Sequence, residues 1–268
     1  MADLNRPLTD KVALVTGGSR GIGGSICKRL AEGGANVIFT YANSTDQAQK
    51  VEEACKSHRV KAEALQVDSA DIEAGKQLAE SVVEHHGPID ILVNNAGVGA
   101  VAPLMDTDEA MWDTMMDINA KGVLLCSQAA ARQMIKTGSG GRIINNASGA
   151  GKIAPGKDVP LGAYAASKHA VVALTKQMGL ELAQHRILVN CVCAGIVDTP
   201  MWDLIDREIA KREGAPIGSV KASAVDSIPL GRIQEPEDVA NVVVFLASSD
   251  ASYMTGQTYN VCGGILPY

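Results

Sequence analysis

The chain has 268 residues, 46% hydrophobic and 20% charged, with 24 basic against 30 acidic side chains and a formal net charge of −6, the make-up of a folded chain with a sizeable core. Aromatics are 3% and no basic block interrupts the acidic balance, so nucleic acid is not an expected partner. Apolar runs such as 242–247 fall far short of the roughly 20 residues a spanning helix needs, and the N-terminus has no apolar signal region, so a cytoplasmic chain with no membrane partner is expected.

From the N-terminus, 12–16 reads as a β-rich run, followed by a glycine loop. The helix after it places Ile22, Ile26 and Leu30 on one face and stops at Gly33-Gly34. A strand over 36–41 leads through Ser44-Thr45-Asp46-Gln47, which has the spacing of a capping box, into a helix ending near His58. A strand over 60–67, a helix over 72–86 and a nearly all-apolar strand over 89–93 come next. A long helix is expected over about 108–136, then a strand over 142–147 and a helix over 163–183. A strand over 187–192, a helix over 236–246 and a short strand over 257–261 complete the chain. Strands separated by helices of this length imply right-handed crossovers and a parallel sheet. The fold class is therefore α/β, a doubly wound sheet in a single domain over 1–268. The stretch 201–228 fits the alternation least. Its Pro/Gly signals and short helices mark an insertion over the carboxyl ends of the strands, where ligands bind.

Of the six cysteines, Cys191 and Cys193 alone lie close, at alternate positions of an apolar run. They read as one face of a buried strand with reduced thiols. The five histidines have no metal-ligand spacing, and no metal site is expected.

Thr16-Gly17-Gly18-Ser19-Arg20-Gly21-Ile22-Gly23 lies between the first strand and the first helix. Glycines there permit a tight turn and close approach to a pyrophosphate, whose charge a helix N-terminus favours. With this T-G-x-x-x-G-I-G loop the chain resembles the short-chain dehydrogenase/reductase family along nearly its whole length. The same family pattern supplies Asp68 after the third strand and Asn94-Asn95-Ala96-Gly97 after the fourth. It also supplies Asn119 in the long helix, Ser148 after the fifth strand, Tyr164-Ala165-Ala166-Ser167-Lys168, and Gly195 and Thr199 after the sixth. The resemblance implies a Rossmann fold and a nicotinamide-dependent oxidoreductase. Its cofactor contacts would come from Gly17, Ser19, Arg20, Gly21, Ile22, Gly23, Tyr41, Asn43, Ser44, Asp68, Ser69, Asn95, Ala96, Gly97, Tyr164, Lys168, Gly195, Val197 and Thr199.

Tyr164 and Lys168, at i and i+4, share a helix face about 5–6 Å apart. A free tyrosine has a pKa of about 10. A neighbouring ammonium is expected to favour the phenolate and bring Tyr164 toward the working pH, as acid for a carbonyl gaining hydride or base for an alcohol losing it. The resemblance implies that Lys168 also bonds the nicotinamide ribose, that Ser148 holds the substrate oxygen, and that Asn119 supports a water carrying the proton onward. The chain departs from the family pattern in three places. The 16-residue step from Ser148 to Tyr164 is long, Ala194 replaces the usual proline before Gly195, and Cys262 stands where an acid often precedes Gly263-Gly264.

No acid lies between Gly33 and Thr45, where an NAD enzyme of this fold commonly holds the ribose hydroxyls. Asn43, Ser44 and Arg20 suit a 2′-phosphate instead. Tyr41-Ala42-Asn43-Ser44 is similar to the same stretch of NADPH-dependent fungal naphthol reductases, so NADP(H) is the expected cofactor. The sequence around Val197 to Trp202 and the 201–228 insertion resemble acetoin/diacetyl reductases and polyol dehydrogenases, which implies a small ketone, diketone or polyol substrate. A β-ketoacyl carrier-protein reductase is the alternative. A non-catalytic NADP-sensing regulator is a third reading, opposed by the presence of both Tyr164 and Lys168. Small and methyl-bearing residues on more than one face of the 108–136 and 163–183 helices, with the family habit, predict a homotetramer, or failing that a dimer.

Overall fold

The computed structural model describes residues 6–69 and 71–267. β1 (Val12–Val15) is buried on both faces and pairs in parallel with β2 (Asn36–Tyr41); β3 (Ala62–Gln66) continues the sheet beyond β2. On its other side β1 pairs with β4 (Ile91–Asn94), followed by β5 (Gly141–Asn146), β6 (Ile187–Ala194) and β7 (Thr258–Val261). The order is β3-β2-β1-β4-β5-β6-β7, all parallel. The direction of sheet growth reverses between β1 and β4, the place where doubly wound sheets open a crevice at their carboxyl ends.

The strands are joined by α1 (Gly21–Glu32), α2 (Thr45–Lys56), α3 (Ile72–His86), α4 (Glu109–Met116), α5 (Gly122–Thr137), α6 (Gly162–Leu182), α7 (Pro200–Glu213), α8 (Ser219–Ala224) and α9 (Pro236–Ala247). Helices cover both faces because strand side chains alternate. Ala13, Val15, Val37 and Phe39 pack against Ile26 and Leu30 of α1 and Val239 and Val243 of α9. Val12, Leu14 and Ile38 pack on the opposite side against Leu78 and Val82 of α3 and Ala130 and Met134 of α5. Each large side chain so buried stabilises the fold by about 1.5–3 kcal/mol. Beneath the crevice runs a polar ladder. The Asn94 amide donates to Ser127 (2.9 Å) and to Asn145 Oδ1 (2.8 Å), and Asn145 donates to Thr175 (2.9 Å), all four residues being buried. It ties β4 and β5 to α5 and α6. Cys191 and Cys193 are free, buried thiols 4.0 Å apart on β6, as the alternation had implied.

Two local expectations are corrected. The helix expected over 108–136 is interrupted by a turn of π-helix, Asp117–Lys121, between α4 and α5, with Asn119 fully buried in it. The wider turn admits one more residue than an α-turn. The capping box at Ser44 does not form. Ser44 has φ −102° and ψ 60°, not the extended backbone that brings a cap side chain onto the first amides, and its hydroxyl takes no bond from α2. The 201–228 stretch folds as most of α7, then α8 and a 3₁₀ turn, Val225–Ser227. α8 is fastened to α7 by Lys221, which pairs with Asp198 and Asp203, and by buried Asp206, which accepts the amides of Gly218 and Lys221.

Candidate functional site

A cleft of about 800 Å³ lies at the carboxyl ends of the strands. Every residue expected to contact the cofactor lines it, as does Ser148; Asn119 does not.

The glycine loop forms the outer part of the cleft. Gly17 has φ +67°, and a Cβ there would lie 2.9 Å from the Ala96 backbone. A Cβ on Gly23 would lie 2.1 Å from the Gly17 carbonyl, so neither position admits a side chain. Thr40 Oγ1 accepts the Gly17 amide (3.1 Å), and the Asn95 side chain donates to the carbonyls of Thr16 (3.0 Å) and Gly17 (2.9 Å), which fastens the loop to the ends of β2 and β4. α1 opens after Arg20 with no side-chain cap and no acid in its first turn. Its leading amides and partial positive charge are therefore left for an anion, with Gly21, Ile22 and Gly23 on the cleft wall. Across the cleft Thr199 faces Gly21, where a Cβ would lie 3.4 Å from the threonine methyl.

The inner part is built from β5 and α6. β5 runs out into Ser148, which caps a 3₁₀ turn by accepting the Ala150 amide (3.1 Å). Tyr164 and Lys168 share one face of α6, with Nζ 5.7 Å from the centre of the Tyr164 ring and donating to the Asn146 carbonyl (3.0 Å). Burial raises the Tyr164 pKa above its ordinary value of 10, and a hydrogen bond with Ser148 works against that rise without cancelling it. The depression expected from Lys168 is thus absent among the protein's own groups. The same burial lowers Lys168 from 10.5 to about 8, which weakens the cation that was to stabilise the phenolate.

Asn119 sits behind this wall. Its side chain accepts the Val98 amide (2.9 Å) and donates to the Val98 carbonyl (2.9 Å) and to Ser167 (3.0 Å), so its polar atoms hold the loop after β4 beside α6. The long segment between Ser148 and Tyr164 contributes Ile153, Pro155, Val159 and Leu161 to the cleft. Cys262 Sγ accepts the Leu266 amide (3.3 Å), and Asn260 donates to the Leu266 carbonyl (2.8 Å), which brings Ile265 and Leu266 into the lining. Those two residues, with Ile205 and Asn146, are not singled out by sequence reasoning. The cysteine standing in an acid's place is the one signal pointing to the tail.

A family model described as "Enoyl-(Acyl carrier protein) reductase" matches residues 17–266. Galactitol 2-dehydrogenase of Agrobacterium fabrum is 38% identical over 260 residues, 96% of this chain and 98% of the relative. The chain belongs to the short-chain dehydrogenase/reductase family. Among other family members, the 3-oxoacyl-[acyl-carrier-protein] reductase FabG of Staphylococcus aureus is 41% identical over 256 residues, 95% of this chain and 98% of the relative. The diacetyl reductase [(S)-acetoin forming] of Staphylococcus epidermidis is 39% identical over 257 residues, 96% of this chain and 98% of the relative. A blue fluorescent protein from a metagenomic library, solved in complex with NADPH, superposes with a TM-score of 0.87 at 35% identity, covering 97% of this chain and 99% of that one.

The chain is thus an oxidoreductase of a family that uses NAD(P)(H), and three features of its cleft fit a nicotinamide dinucleotide. The helix N-terminus is uncapped, the glycine cradle has no room for a Cβ, and the buried Oδ1 of Asn146, a residue of the cleft lining, has no hydrogen-bond partner among the described residues.

Proposed function

We propose that this short-chain dehydrogenase/reductase is an NADPH-dependent carbonyl reductase, acting in reverse as a secondary-alcohol dehydrogenase, on a small uncharged carbonyl compound. The observation that carries the reading is the convergence of Ser148, Tyr164 and Lys168 at the inner end of a cleft whose outer end is the uncapped N-terminus of α1. Relatives named for diacetyl and galactitol, and a structural neighbour solved with NADPH, support it.

Gly17, Ser19, Gly21, Ile22 and Gly23 would hold the pyrophosphate. Arg20, Asn43 and Ser44, at the end of β2 where no acid stands, would take the 2′-phosphate beside Tyr41. Asp68, Ser69, Asn95, Ala96 and Gly97 would line one wall, and Gly195, Val197 and Thr199 the other. When bound, the nicotinamide would supply the hydride and, once oxidised, a positive charge that favours the phenolate. Ser148 donates to the carbonyl oxygen, and the Tyr164 hydroxyl gives that oxygen its proton. Lys168 would bond the ribose and, when charged, favours the phenolate left on Tyr164. Asn119 positions the loop after β4 through Val98. Further copies of the chain would meet the outer faces of α5 and α6, giving a homotetramer or, failing that, a dimer.

Purified protein mixed with NADPH and diacetyl should consume NADPH, with a higher kcat/KM than for NADH. Equal efficiency with the two cofactors would overturn the NADPH assignment. The 41% identity to FabG favours a second reading, a carrier-protein reductase. Acetoacetyl thioester reduced far more efficiently than every free ketone would establish that reading in place of the first.

A further inference from the structure

Past Tyr164 the cleft changes character. α7 and α8 close over the loops after β4 and β5, and the walls there include Val98, Val159, Met201, Trp202, Ile205 and Val220, which belong to the apolar cluster that also packs Tyr164. Among the described residues lining the whole cleft, the charged side chains are Arg20, Asp68 and Lys168. Arg20 and Asp68 line the outer part with the glycine loop, and Lys168 stands under Tyr164.

The hydroxyls of α8 and the turn after it offer a polar ligand acceptor lone pairs but no proton. Ser223 donates to the Val220 carbonyl (3.0 Å) and Ser227 to the Ala224 carbonyl (2.7 Å). Each spends its proton on its own helix. Cys262, also in the lining, has its sulfur engaged with Leu266. The long Ser148-to-Tyr164 segment adds Ile153, Pro155 and Leu161 to the apolar wall and no charge. A ligand in this end therefore meets donors at the reacting carbonyl oxygen, from Ser148 and Tyr164, and a mainly apolar wall beyond it, whose side-chain polar atoms are the Trp202 indole N–H and the acceptor lone pairs of Ser223 and Ser227.

We infer that the substrate is a neutral ketone carrying an apolar group larger than methyl, and that Trp202 is a specificity-determining residue that packs on that group. The inference rests on the carbonyl-reductase reading and narrows it. A polyol or ketose would bring several further hydroxyls against Val159, Trp202 and Ile205, and each one left unpaired costs about tenfold in kcat/KM. A keto acid would bring a carboxylate to a wall with no cation. Diacetyl fits but leaves most of the apolar wall unused.

The test uses the full chain with saturating NADPH and the homologous methyl ketones from butanone to octanone, with diacetyl and sorbose alongside. Each added methylene that leaves water should raise kcat/KM about fourfold until the wall is filled, and sorbose should lie far below the longer ketones. Trp202→Ala should cut the gain per methylene to less than about twofold while tight NADPH binding, read by cofactor fluorescence, is retained. Reduction of diacetyl with no gain along the series, or sorbose preferred to octanone, would overturn the apolar-substrate inference and leave the reductase reading standing. An unchanged slope in Trp202→Ala would remove Trp202 from the wall that reads the substrate. NADPH consumed with none of these carbonyls would overturn the reductase reading, and the inference with it.

Discussion

Lys168→Met should make the folded protein more stable at neutral pH while removing its activity. Burial lowers Lys168 from 10.5 to about 8, which corresponds to about 3 kcal/mol held against the fold when the ammonium is present. Methionine has similar length and no charge, so that cost disappears. Against it stands the lost bond from Nζ to the Asn146 carbonyl (3.0 Å), worth about 1–2 kcal/mol. The net expectation is a gain of about 1–2 kcal/mol at pH 7. The pH dependence identifies the cause. Below the folded pKa of about 8 both folded and unfolded chains carry the proton, so the cost is full and constant. Between about 8 and 10.5 the unfolded chain binds more protons than the folded one, and wild-type stability therefore rises with pH relative to the variant. Urea midpoints read by circular dichroism, at one protein concentration, should favour Lys168→Met at pH 7 and lose that advantage by about pH 10. A variant less stable than wild type at pH 7, or a difference that does not change with pH, would refute the reasoning. A gain would mark Lys168 as a residue kept for chemistry at the expense of stability.

Tyr164→Phe keeps the ring and removes the proton, so NADPH binding should persist while turnover falls by roughly 10²–10⁴; turnover near wild type would remove Tyr164 from the proton-donor role. Arg20→Ala should weaken NADPH binding about 10- to 100-fold and NADH binding little, because one of the two carries the 2′-phosphate. Equal losses in titrations with the two cofactors would make Arg20 structural. Light scattering should return about four chains of 27.9 kDa, and Ala173→Glu, at an exposed position of α6, should return smaller species. A wild-type mass of one chain would end the tetramer proposal.

Features carried by local chain grammar are legible in the sequence itself. β2 and α3 occupy 36–41 and 72–86, as expected, because each is closed by strong punctuation; α3 stops at Gly87, whose φ is +88°. The Tyr164–Lys168 pairing follows from four residues of helix. The glycine loop is legible for the same reason, since its steric demands arise within a strand–turn–helix unit. What the sequence hides depends on pairings across the chain. Asn145 meets Asn94 at a separation of 51 residues and Thr175 at 30. Leu266 reaches the cleft because Cys262 and Asn260 turn the tail inward, which no periodicity announces. The Tyr164 pKa moves opposite to expectation because a pattern shows which groups are adjacent and not how much water surrounds them.

The π-turn at Asp117–Lys121 has a consequence for how the chain tolerates changes in length. An α-helix advances about 100° per residue, so the extra residue sets α4 and α5 out of phase. In that phase Met115 faces the cluster around Tyr164, Ala130 and Met134 face the sheet, and Asn119 reaches Val98. Deleting any one residue of this turn would restore a regular helix and swing one half by about 100° against the other. Substitutions elsewhere along α4 and α5 are bounded by packing, as on any half-buried helix. At this turn the number of residues is itself under constraint, because a straight helix could not keep Met115 on the cluster around Tyr164 and Ala130 and Met134 on the sheet at once, nor hold Asn119 against Val98.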